Sequence, residues 1–145
     1  MKTKQRKAFT LVEVLIVVVI MAVLAATIIP QFSDSTNDAK VSNLKFNLHT
    51  LRSQIELYKS QHDGKVPADQ QLIELTTKTD QYGNIDPNGA YGPYLREIPA
   101  NPYKETNVTA VPDADPPTVE HATAGWLYDT TTGKLWINDE DFFSE

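Results

Sequence analysis

The stretch from 11 to 29 constrains this chain more than any other. Its residues are nearly all Val, Ile, Leu, Ala or Met, and about 20 such residues in a row make the α-helix that crosses a bilayer. Before it stand Lys2, Lys4, Arg6 and Lys7 with no acidic residue among them, so the positive-inside rule places the N-terminus in the cytoplasm and the remainder outside. One residue interrupts the apolar run: Glu13. A carboxylate facing hydrocarbon costs about 3 kcal/mol on insertion scales, so intramembrane acids as a rule face a partner and mark a function. The plainer alternative is a side chain shallow enough to reach the headgroups.

The residues around Glu13 favour the first reading. Lys7-Ala8-Phe9-Thr10-Leu11-Val12-Glu13, with Pro30 further on, resembles the N-terminus of type IV prepilins and of the type II secretion pseudopilins. The resemblance is specific from Lys7 to Pro30. Along most of the rest a looser similarity to the major pseudopilin family of type II secretion, the general secretion pathway protein G type, persists. In that family a membrane peptidase cuts after a small residue and methylates the new N-terminus. The resemblance therefore implies a cut between Ala8 and Phe9, with Phe9 as the N-methylated first residue. Ala8 stands where the family usually has Gly, a departure that bears on how efficiently the bond is cut. The resemblance also implies that Glu13 pairs with the amine of Phe9 on a neighbouring subunit, so that Phe9, Glu13 and Pro30 carry assembly. The competing reading is an ordinary secretory signal cut near Leu24-Ala25-Ala26. It accounts poorly for Glu13 inside the apolar run and for a helical pattern that continues past that point.

With 145 residues, and a leader and membrane span taken from them, the chain has room for one small soluble domain. The expected organisation is a leader at 1–8, a transmembrane and assembly helix at 9–30, and a periplasmic globular domain at 31–145. That domain contains helix 31–63 and a hairpin at 124–138. Removing the four leader cations from 13 leaves 9 basic against 19 acidic residues. That balance argues against nucleic-acid binding and suits a self-repelling exported surface. The absence of cysteine excludes disulfides, thiolate metal sites and a cysteine lipid anchor.

Pro30 removes a backbone donor and bends the helix rather than ending it, because the pattern resumes. Val41, Leu44, Leu48, Leu51, Ile55 and Tyr58 recur at steps of three and four, one apolar stripe on a helix. The helix should stop near His62-Asp63-Gly64, with Gly64 as left-handed cap and Pro67 beyond. From Phe9 to His62 this predicts one bent rod of about 80 Å. After Pro67, residues 68–77 read as a short helix capped by Asp69, with Leu72, Ile73 and Leu75 on its buried side. Residues 78–102, rich in Gly, Pro, Asn and Tyr, read as a structured loop anchored by Tyr91, Tyr94, Leu95 and Ile98. Residues 107–125 read as the most mobile part. Gly125-Trp126-Leu127-Tyr128-Asp129 and Lys134-Leu135-Trp136-Ile137-Asn138 flank Thr130-Thr131-Thr132-Gly133, a β-hairpin whose Gly takes positive φ. Its apolar residues are the natural cover for the helix stripe. The fold class expected is α+β and pilin-like: a long N-terminal helix, its inner half transmembrane, its outer half packed on a small antiparallel sheet.

Catalytic patterns are absent. His49, His62 and His121 lack metal-ligand or catalytic neighbours and read as surface residues. No phosphate loop, nucleophile elbow or HExxH occurs, so no enzyme is expected. The resemblance to major pseudopilins implies a Ca²⁺ site in the C-terminal loops. Asp139 and Asp141, with Glu140, or Asp113 and Asp115, are the oxygen ligands available. The family's acidic, Gly-rich loop is replaced here by Tyr128-Asp129-Thr130-Thr131-Thr132-Gly133, so no cofactor is the better expectation.

The function implied is that of a major pseudopilin: an inner-membrane, single-pass subunit that polymerises with its own copies. It would be processed by prepilin peptidase, would work with other pseudopilins and the inner-membrane secretion platform, and would drive protein export across the outer membrane. The alternatives are a type IV pilus or DNA-uptake subunit, which the missing cysteines and small domain disfavour, and a monomeric anchored binding module with a Tyr/Trp-rich sheet.

Overall fold

Val17-Val18-Val19 and their neighbours are poor helix formers in water, since β-branching restricts χ1. In hydrocarbon the helix is nevertheless favoured, because it satisfies each backbone donor and acceptor within its own segment. The computed structural model of the chain describes residues 9–144, without the side chains of 29–35. Helix α1 runs Leu11–Gln61 and includes Pro30, whose side chain lies outside the described residues. The chain divides into two units, Met1–Ala39 and Lys40–Glu145.

Within the second unit the stripe on α1 forms the core. Leu44, Leu48, Leu51, Ile55 and Tyr58 are buried, while Val41 at its start is half-buried. α1 ends in a Schellman turn: the Gly64 amide donates to the Lys59 carbonyl at 2.9 Å. The residue at the left-handed position just past the helix is Asp63, φ 54°, with Gly64 at φ 81° following it. The expected cap is thus displaced by one residue, onto a short polar side chain that tolerates this conformation.

Helix α2 is confined to Ile73–Thr76, shorter than the 68–77 expected. Leu72 adopts φ 57°, and the Glu74 carboxylate accepts from the Ala68 and Asp69 amides at 3.0 and 2.9 Å. Those donors are turned toward a side chain instead of a helix. Asp69 accordingly does not cap α2; it accepts from the Gln71 amide in a local turn. Leu72 and Leu75 are buried as expected, whereas Ile73 is exposed.

Strand β1, Thr109–Ala110, falls in the stretch expected to be mobile. It pairs parallel to β2, Trp126–Tyr128, which pairs antiparallel with β3, Leu135–Ile137. The sheet is therefore mixed within the expected α+β class. Around β1 the Gln71 side chain donates to the Thr109 carbonyl and accepts from its amide, so a side chain occupies the open edge. Buried Asn101 donates to the Gly125 carbonyl at 2.8 Å and fixes the other end of the 107–125 segment. The hairpin places Trp126, Tyr128, Leu135 and Ile137 on the α1 stripe. Leu127 and Trp136 point to the opposite face, where Ala110, Ala124 and Phe143 cover them. Gly133 has φ 76°, and a Cβ there would lie 2.5 Å from Val66 Cγ1, so both conformation and space require glycine.

His62 is wholly buried rather than on the surface. Its Nδ1 lies 2.8 Å from the Tyr58 carbonyl, which can only accept, so that nitrogen carries the proton. Nε2 lies 3.0 Å from Thr79 Oγ1. The ring stacks on Tyr58 at 3.9 Å.

Burial, aided by the charge of Glu74, pushes the Tyr58 phenol up to about 12 and that of Tyr128 higher still. The folded state therefore keeps phenolic protons that the unfolded chain sheds near pH 10. Stability from these groups is fully present below pH 10 and declines as pH rises toward 12. In an alkaline titration followed by tyrosinate absorbance, Tyr58 and Tyr128 should ionise only together with unfolding. Ionisation of Tyr58 and Tyr128 before any loss of structure would contradict this assignment.

Candidate functional site

The functional residues read from the sequence lie at the start of α1. From Leu11 to Ile28 the helix has a mean hydropathy of 3.0, and none of that window is buried within the chain. At about 1.5 Å per residue these 18 residues span roughly 27 Å, close to the ~30 Å of a bilayer core. Phe9 is 85% exposed. Ala8, the leader cations and the remainder of 1–8 lie outside the described residues.

Glu13 is engaged within its own chain. Its Oε2 accepts from the Thr10 amide and the Thr10 hydroxyl, each at 2.8 Å. The Glu13 amide in turn donates to Thr10 Oγ1 at 3.3 Å. This is a capping box, in which N-cap and N3 side chains satisfy each other's backbone donors. The sequence motif contains Thr10 without assigning it a role, though the Thr-x-x-Glu spacing ahead of an apolar run is the signature of a capping box. The box fixes where the carboxylate stands at the helix entrance. Both bonds fall on Oε2, and among the described residues no donor meets the second carboxylate oxygen.

The second unit offers no comparable chemistry. Among the described residues no three His, Cys, Asp or Glu side chains gather as metal ligands. Asp139 caps a 3-10 turn at Glu140–Phe142 by accepting from the Asp141 amide. Asp113 accepts from the Thr118 amide and hydroxyl and from the Val119 amide, and these bonds hold its carboxyl below the usual range. Asp115 is paired with Lys134. Asp129 accepts from the Thr131 amide and Thr132 hydroxyl within the hairpin turn. A hard cation needs several oxygens converging on one point; these acids organise separate turns and do not fit one. His49 and His121 are exposed. On α1, away from the core stripe, Phe46 is 68% exposed.

Comparison with known proteins covers both units. A family model described as "Prokaryotic N-terminal methylation motif" matches residues 3–29. One described as "Type II secretion system (T2SS), protein G" matches residues 31–125. The type II secretion system core protein G of Pseudomonas aeruginosa is 33% identical over 104 residues, covering 71% of this chain and 72% of that one. The protein of the same name from Klebsiella michiganensis is 27% identical over 106 residues, covering 71% and 72%. That of Escherichia coli K12 is 25% identical over 141 residues, covering 95% and 90%. No solved structure matches the chain.

Proposed function

The chain belongs to the protein G family of type II secretion systems, the major pseudopilins, and from that premise we propose how its residues perform assembly. A peptidase removes residues 1–8 by cutting between Ala8 and Phe9 and methylates the Phe9 amine. The apolar helix holds the subunit in the inner membrane, with the N-terminus cytoplasmic and the domain after Pro30 in the periplasm. Copies then leave the bilayer and bundle their helices, and the growing filament moves folded proteins toward the outer membrane. The work of the chain is structural.

The observation that carries this reading is an apolar helix surface left wholly uncovered by its own chain. Such a surface must be covered by lipid or by other proteins, since water exposure costs roughly 25 cal/mol per Å². Bundling with identical helices replaces lipid without exposing hydrocarbon. The Glu13 carboxylate, already oriented by Thr10, then receives the Phe9 amine of the next subunit. A buried pair of this kind sets register more than it adds stability.

Mass spectrometry of the membrane-extracted protein tests the first step. The expected mature chain begins at Phe9 and carries one added methyl group. An intact Met1, or a start at Thr27 as ordinary secretory cleavage after Ala26 would give, overturns the scheme.

A further inference from the structure

We propose that the loop between β1 and β2 is closed onto the C-terminal hairpin by this chain's own nitrogen donors, so that it needs no divalent cation to hold it. The oxygens of this region are those a hard cation selects: carboxylates and backbone carbonyls. Asp113 is committed to Thr118 and Val119. The Lys134 ammonium, at the foot of β3, donates to Asp115. The Lys104 ammonium, from the turn held by Asn101, donates to one oxygen of Glu120, while the other accepts from the Glu140 amide at 3.1 Å. The two carbonyls at the end of the loop, His121 and Ala124, both accept from the Asn138 side-chain amide at 2.6 Å. Asn138 is wholly buried, and its own oxygen accepts from the His121 amide at 2.7 Å.

The connections hold the loop at three points. Lys134 joins the hairpin to the middle of the loop, Lys104 joins an earlier turn to its later part, and Asn138 joins the strand end to its last residues. Each is a donor delivering positive or partial positive charge to oxygen, which is what a bound cation supplies. A cation entering here would have to displace two ammonium groups and a buried amide from oxygens they already satisfy. The bond from Lys104 holds the Glu120 carboxyl below its ordinary range, so it stays ionised for that contact. The closed loop therefore forms and persists without calcium.

The test uses the full chain in detergent micelles, with thermal melting and with limited digestion by a broad-specificity protease whose cuts are mapped by mass spectrometry. For the natural sequence, melting temperature and cutting between 111 and 120 should coincide in calcium chloride and in chelator. In the double variant Lys104→Met, Lys134→Met, which keeps the aliphatic stems, cutting in that segment should accelerate roughly fivefold, the effect of two partly exposed ion pairs on a local opening. Cuts elsewhere should be little changed. Calcium that slows cutting or raises the melting temperature of the natural sequence overturns the proposal. So does a double variant cut at the natural rate, or one cut faster at all sites alike.

Discussion

Glu13→Ala should leave membrane insertion and leader cleavage intact and abolish incorporation into filaments. Two losses follow from the substitution, and their sizes differ. Removing the capping box at Thr10 costs on the order of 1 kcal/mol of helix stability, which a helix held in lipid tolerates. Leaving the neighbour's Phe9 amine buried without its counter-charge costs about 3–5 kcal/mol. That is two to three decades or more in the equilibrium for adding a subunit, at about 1.4 kcal/mol per decade. Glu13→Gln separates the two, because glutamine also serves at the N3 position of a capping box but carries no charge. If the ion pair sets register, Gln fails in assembly nearly as completely as Ala while its helix entrance is unchanged. If the carboxylate serves only to cap, Gln assembles normally. Crosslinking through cysteines placed near Phe9 and Val18 in membranes and sheared filaments reads both outcomes. Normal assembly of either variant would defeat the register argument.

Elements governed by local periodicity were legible in the sequence. The Leu44 to Tyr58 stripe follows the 3.6-residue repeat, and Gly133 between two aromatic runs marks the hairpin. What escaped reading depended on partners distant in sequence. β1 is two residues long in a Pro-rich polar stretch, and only its parallel pairing with β2 makes it a strand. α2 was read too long because nothing in residues 68–77 announces that Glu74 reaches back to the Ala68 and Asp69 amides. His62 was read as surface, yet it lies four residues beyond Tyr58 and continues the buried stripe. That spacing was the available signal, outweighed by the usual exposure of histidine. At the start of α1 the hydropathy and Glu13 were plain, whereas Thr10 was legible only as part of a motif and not as the residue that orients the acid.

Trp126→Ala should unfold or nearly unfold the second unit. The indole is wholly buried between the α1 stripe and the sheet, and its Nε1–H donates to the Pro99 carbonyl at 2.8 Å. Truncating a buried Trp costs about 3–5 kcal/mol through lost transfer energy and the cavity left behind. The Pro99 carbonyl also loses its donor. Small domains have only about 5–15 kcal/mol in total, and each kcal/mol moves the melting temperature of a domain this size by roughly 4–8 °C. A fall on the order of 15–30 °C follows. Trp126→Phe keeps an aromatic ring in the core and mainly removes the bond to Pro99, so about 1–3 kcal/mol is expected. Phe46→Ala, on an exposed part of α1, should change stability by no more than about 0.5 kcal/mol. Fluorescence of Trp136, the one tryptophan left in both position-126 variants and buried on the other face of the sheet, follows the melting. Circular dichroism would mix in the apolar part of α1, whose helix is held by lipid or detergent and not by the sheet. The comparison also separates the two units functionally: under the proposed scheme the Ala variant should still be inserted and processed at Phe9, because the residues proposed to direct those steps precede Pro30. A melting temperature for Trp126→Ala within a few degrees of the natural sequence would mean that the sheet does not depend on the stripe for its stability.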